Sequence, residues 1–179
     1  MLLSAVTFLP ALGALALLFV PRRFAGFLRA GALVTAVLTL ALALPLYVRF
    51  DGARADFQFE ESRSWMPTLG VSYHVGIDGI SLLLVLLTAF LTPLALASAW
   101  RAIEDRVKEF VVTMLILETG MLGVFVSLDL FLFYVFWEAT LIPMYFIIGV
   151  WGGQHRIYAA VKFVLYMMLG SVLMLVAIL

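Results

Sequence analysis

Two glutamates and a lysine lie inside runs of sequence that are otherwise apolar, and what such groups can do there is gain and lose charge. Glu138 stands in the stretch FYVFWEATLIPMYFIIGVWGG, Phe133 to Gly153. In a helix it would lie about 12 Å from the start at 1.5 Å per residue. A charge that deep in a bilayer costs about 2.5 to 3.5 kcal/mol even on lenient scales, so buried acids mark paths for protons or ions. Five residues on, Pro143 has no N–H for the carbonyl of Ala139. It is either a plain helix kink or the source of a released acceptor beside Glu138 that can hold a water. Glu118 sits about 13 Å into another apolar run. It reads as a proton relay or as a protonated acid bonded to a neighbouring helix. Lys162, about 8 Å into a third run, either snorkels to the surface or pairs with a buried acid, Glu138 or Glu118. Tyr158 and Tyr166, at i−4 and i+4, place hydroxyls on the face of the lysine.

The elements that must position these groups are membrane helices. Of 179 residues, 65% are hydrophobic and 12% charged, and the mean hydropathy of +1.17 is far from the soluble range. A hydrocarbon core of about 30 Å takes roughly 20 apolar residues per span. Runs of that length lie at 2–20, 30–48, 77–100, 109–128, 130–150 and 157–179. The expected fold class is an all-α membrane protein of about six transmembrane helices in a single membrane domain, 1–179. The first run has no basic residues ahead of it, and Arg22 and Arg23 follow it, so it reads as a retained helix rather than a signal peptide. Between the second and third runs, Phe57 and Phe59 alternate with Asp56, Gln58 and Glu60. Val71, Tyr73 and Val75 alternate again after Pro67 and Gly70. This pattern predicts a short outer β-hairpin, or an irregular loop, within 49–76. Arg22, Arg23, Arg29, Arg101, Arg106, Lys108 and Arg156 fall on one side and Arg49, Arg54 and Arg63 on the other, which predicts the N-terminus outside.

Smaller signals complete the reading. Ser127 or Asp129 can cap the fifth helix, the carboxylate also suiting its dipole. Gly120, Gly123, and Gly170 with Ser171, allow close helix packing. His74 and His155 read as loop residues at the membrane edge. The chain has no cysteine, which excludes disulfides and thiolate-held metal or iron-sulfur centres within it. With 11 basic and 11 acidic residues the net charge is zero, so nothing points to nucleic acid as a partner. There is no P-loop, dinucleotide fingerprint, metal-spaced cluster or nucleophile elbow.

The stretches GIDGISLLLVLLTAFLTPLALASAW from Gly76, LDLFLFYVFWEATLIPMYFIIGVWGG from Leu128 and RIYAAVKFVLYMMLGSVLMLVAIL from Arg156 resemble the subunit M family of proton-translocating NADH-quinone oxidoreductase, bacterial complex I. The resemblance runs from about Val71 to Leu179. It implies a multi-pass protein of the bacterial inner membrane, an N-terminal portion of an antiporter-like subunit of about fourteen helices in two inverted repeats. It also implies proton translocation driven by quinone reduction, as one subunit of a translocase with no redox centre in this chain. NAD, FMN, iron-sulfur clusters and quinone would belong to other subunits, and other membrane-arm subunits and the lipid bilayer would be its partners. Glu138 matches the family's fifth-helix glutamate, which pairs with a lysine on a broken seventh helix. Alternative homes are an Mrp-type cation/proton antiporter, the membrane arm of a hydrogenase, or a structural membrane-arm element without transport of its own.

Overall fold

The computed structural model describes residues 1–54 and 56–178. Ala55, in the connecting loop, and Leu179, which the last expected span included, lie outside the described residues. Among the described residues six α-helices run back and forth: α1 (Leu2–Leu18), α2 (Ala25–Arg49), α3 (Gly79–Ala102), α4 (Val107–Val126), α5 (Leu130–Trp151) and α6 (Arg156–Ile178). Between α2 and α3 lies an antiparallel hairpin of β1 (Gln58–Met66) and β2 (Val71–Ile77). The helices α2 to α6 are each long and apolar enough to cross a membrane. With 17 residues, α1 sits at the short limit for a span, about 25 Å long. The six-helix expectation and the hairpin are both met, while several boundaries shift for physical reasons.

Hydropathy places the start of the second span at 30, but α2 begins at Ala25. Arg29 is helical because its guanidinium reaches the carbonyl of Ile103 at 2.7 Å, beyond the end of α3. α3 begins at Gly79 rather than 77, since Asp78 forms a capping box with Ser81 and leaves Ile77 to the strand. α4 ends at Val126 rather than 128 because the hairpin recruits the next two residues. Ser127 bridges to Val75, and the amide of Leu128 donates to the carbonyl of His74 at 2.9 Å. The alternation expected in β1 is broken by a bulge between Gln58 and Glu61, where Phe59 adopts φ 57°. Gln58 is consequently buried, its side chain bonded twice to the backbone of Asp51, and Phe57 is exposed.

α4 is the central helix and touches α1, α2, α3 and α5. Its contact with α5 is close because Gly120 and Gly123 face it. A Cβ on Gly123 would overlap the ring of Phe136, and one on Gly120 would fall 2.7 Å from Thr140. Gly170 does not act this way: a Cβ there would meet nothing within 4 Å, although its neighbour Ser171 is buried.

The core divides into two apolar clusters. One, at the hairpin end, includes Val6, Ala43, Ala89 and Leu122. The other, at the opposite end, includes Ala14, Ala36, Leu96 and Leu115. On α2, α3 and α4 the stretches between these clusters include buried polar residues: Thr39, Thr92, Glu118 and Thr119. Thr7 and Thr88 are buried as well. Thr7, Thr39, Thr88 and Thr92 each donate to a carbonyl four residues earlier in their own helix and so satisfy themselves within an apolar bundle, whereas the hydroxyl of Thr119 has no partner among the described residues.

Candidate proton-carrying site

Glu118 and Glu138 sit at the same depth. Glu118 is nine residues before Ser127 and Glu138 nine after Asp129, so both lie about 14 Å from the α4–α5 turn. Level does not bring them together. At about 100° per residue, Glu118 lies roughly 160° around α4 from Gly120, the residue that faces α5. Glu138 lies about 200° around α5 from both Phe136 and Thr140, which face α4. The two acids therefore point away from each other, with the tight α4–α5 seam between them.

Glu118 faces the interior formed with α1, α2 and α3, and it is fully buried with neither carboxylate oxygen hydrogen-bonded. The neighbouring-helix hydrogen bond that a protonated-acid reading expects is not formed. Glu138 is half-buried and opens into a groove of about 710 Å³ between α5 and α6. Its Oε1 is buried without a partner. The groove is otherwise apolar, walled by side chains such as Val135, Ile142, Val164 and Met168. The hydroxyl of Tyr134, one turn before Glu138, lies close to both that carboxyl and Ser171 of α6. Pro143 is buried within α5, which runs through it unbroken. Ala139, whose carbonyl Pro143 cannot serve, lines the groove beside Glu138.

Lys162 is exposed, and its ammonium lies 5.7 Å from the centroid of the Tyr158 ring. It sits about 200° around α6 from Ala160, which meets Gly149 of α5. Lys162 is not among the residues that line the Glu138 groove, and no ion pair among the described residues includes Lys162, Glu118 or Glu138. The expected tyrosine stripe is present in part, since Tyr158 holds the lysine.

At the hairpin end, Asp129 caps α5 as expected, accepting from the amides of Phe131 at 2.9 Å and Leu132 at 3.1 Å. Its other oxygen accepts from the amide and hydroxyl of Ser72 in β2. The helix that carries Glu138 is therefore tied to the hairpin, a role invisible to local sequence. Glu61 of β1 ties the same hairpin to α1 by accepting from the amide of Leu3 at 3.0 Å and the hydroxyl of Ser4 at 2.5 Å. His74 pairs with Glu60 at 3.0 Å on the hairpin surface.

Two families match in succession. One described as "NADH-ubiquinone oxidoreductase chain 4, amino terminus" matches residues 57–124, and one described as "NADH:quinone oxidoreductase/Mrp antiporter, TM" matches residues 127–179. The NADH-quinone oxidoreductase subunit M of Rhodobacter capsulatus is 54% identical over 181 residues, a match covering 98% of this chain and 35% of that one. The chain belongs to the subunit M family of NADH-quinone oxidoreductases. A chain of respiratory complex I from Thermus thermophilus with bound NADH superposes with a TM-score of 0.83 at 31% identity, covering 99% of this chain and 35% of that chain. A chain of the Mrp complex from Dietzia sp. DQ12-45-1b superposes at 0.78 with 21% identity, covering 98% of this chain and 18% of that one, and so shares the fold. The chain spans about a third of the length of the subunit M relative. Within this family portion, α5 and the Glu138 groove belong to the second matched family, and the hairpin with α3 and α4 to the first.

Proposed function

We propose that this chain is the N-terminal part of an antiporter-like membrane subunit of a proton-pumping NADH:quinone oxidoreductase, and that Glu138 is its proton-carrying acid. The hairpin end faces outward in this reading, as the arginine distribution implies. The NAD, FMN, iron-sulfur and quinone chemistry resides on other subunits, and the neighbours are other membrane-arm subunits in a bacterial inner membrane. One observation carries the reading: a carboxyl near the middle of a span, with an oxygen buried and unpartnered, opens into an apolar groove.

A charge in such a groove is tolerable only while a cation or water stands beside it. Withdrawal of the cation leaves an uncompensated carboxylate, and uptake of a proton removes the penalty. Return of the cation favours release of the proton, so alternation of the partner moves protons past Glu138. The Tyr134 hydroxyl and the freed carbonyl of Ala139 supply a donor and an acceptor for a water at the same place. The partner cation is assigned to a lysine on a later, broken helix, as the family resemblance implies. Lys162 is instead a charge at the bundle's outer face. Glu118, on the other side of the α4–α5 seam, serves as a secondary proton store rather than as the pair of Glu138.

In the full-length subunit, Glu138→Gln is expected to abolish proton translocation coupled to quinone reduction, while Glu138→Asp keeps part of it. Proton-to-electron stoichiometry measured in membrane vesicles tests this. A normal ratio in the Gln variant refutes the assignment.

A further inference from the structure

At the end opposite the hairpin, α1, α4 and α5 enclose a groove of about 470 Å³ that the proton-carrying site does not use. Its rim is cationic. Arg22 follows α1, Arg106 precedes α4, and Lys108 stands in the first turn of α4. Arg22 is paired with Glu109, whereas Arg106 and Lys108 form no ion pair among the described residues. Lys108 is held in place by donating to the carbonyl of Leu18 at 2.6 Å, which leaves two of its N–H groups to donate elsewhere. No side chain caps the start of α4, so its dipole adds to the positive rim. With Glu109 counted, the rim keeps a net charge of +2.

Below the rim the groove turns apolar. Val112, Phe146 and Val150 form its walls, the first two lying about 8 Å along their helices from the ends at Val107 and Trp151. Trp151 stands at the boundary, its indole N–H donating to the carbonyl of Asp105 at 3.1 Å, as an interfacial tryptophan does. A small soluble anion would use the rim and leave these walls uncovered. A phospholipid uses both, with its phosphate on Arg106 and Lys108 and the start of one acyl chain along Phe146 and Val150.

We propose that this groove binds one anionic phospholipid, of the phosphatidylglycerol class. The phosphate neutralises the rim. Basic pockets between helices at one membrane surface are suited to such headgroups. The arginines and lysine concentrated at this end, against only Glu104, Asp105 and Glu109, favour an anionic lipid over a zwitterionic one.

Arg106 offers a variant that separates binding from folding. Its backbone is left-handed, φ 53°, a conformation that suits glycine, so Arg106→Gly removes the cation while relieving strain. The full-length subunit in its assembled complex is placed in nanodiscs of phosphatidylglycerol, phosphatidylethanolamine and phosphatidylcholine. Lipid retained after detergent washing is counted by native mass spectrometry. The native protein is expected to retain one phosphatidylglycerol in preference to the other two. Each of Arg106→Gly and Lys108→Gln is expected to lower that affinity about 5-fold, the worth of one surface cation, and the double variant about 25-fold. Retention of phosphatidylglycerol unchanged in the folded Arg106→Gly variant overturns the proposal. So does a preference for phosphatidylethanolamine, displacement by millimolar inorganic phosphate, or a native protein that retains no lipid because another segment fills the groove.

Discussion

Asp129 is where removal of one side chain should loosen the helix that carries Glu138. Asp129→Ala takes away two hydrogen bonds at the start of α5, from the amides of Phe131 and Leu132, and two from Ser72 of β2. A lost N-cap costs about 1 kcal/mol. Hydrogen bonds to a charged acceptor contribute about 1.5 to 3 kcal/mol. Asp129 is partly exposed, and water will replace some of what is lost. The net cost is then about 2 kcal/mol, somewhat below the summed range of about 2.5 to 4 kcal/mol. That corresponds to roughly 30-fold faster opening at the start of α5, read as hydrogen exchange at the Phe131 and Leu132 amides of the full-length protein. Asp129→Asn keeps an acceptor and should cost about half as much. A pH signature accompanies the effect. Burial alone would raise the carboxyl's pKa, but the amides of Ser72, Leu132 and Phe131 and the Ser72 hydroxyl outweigh it and hold Asp129 below its ordinary 3.8. The stabilisation is therefore fully present above pH 3.8 and is lost as pH falls through the lower folded value. Protection of the two amides should fall in that acid range in the native protein and not in the Ala variant. Unchanged exchange in Asp129→Ala, with the same acid response, refutes the tie between hairpin and helix.

Two other perturbations follow from packing. Gly123→Ala places a methyl within the Phe136 ring, and overpacking of this kind costs about 1 to 3 kcal/mol. Thermal unfolding in detergent should show the loss, and a second change, Phe136→Leu, should recover part of it; absence of recovery shows that the seam is not the cause. Glu118→Met should raise the unfolding temperature, because a buried carboxyl without a partner costs about 1 to 3 kcal/mol. A lowered temperature shows instead that Glu118 is satisfied by a group such as an ordered water.

The helices were legible because their apolar runs match the thickness of a bilayer, and Gly70 with Pro67 marked the hairpin turn. What hydropathy misplaced were ends set by distant partners. Arg29 is helical because Ile103 receives it, and Ser127 and Leu128 leave α4 because β2 takes them. The bulge at Phe59 likewise depends on pairing across the hairpin rather than on its own residue type. The two acids stood out against their apolar surroundings, but the faces they occupy did not. Helices that are apolar on every side carry no periodic stripe to orient them. The one orienting signal was the glycine pair on α4, whose contacts fix the α5-facing side of that helix. Thr7, Thr39, Thr88 and Thr92 gave no signal, because each answers its hydroxyl within its own helix and so reads as a mildly polar residue in an apolar run.

That glycine seam also constrains how the two acids can act. Gly120 and Gly123 draw α4 and α5 so close that no side chain from either acid can pass between them. Glu118 belongs to a bundle interior in which Thr7, Thr39, Thr88 and Thr92 donate their hydroxyls to backbone carbonyls, while the buried hydroxyl of Thr119 beside it has no partner among the described residues. Glu138 belongs to a groove with a phenol, a serine hydroxyl and a freed carbonyl nearby. The two carboxyls thus meet different neighbours. Equal depth in the membrane therefore does not make the acids equivalent. The asymmetry arises from which side of one glycine-lined seam each occupies.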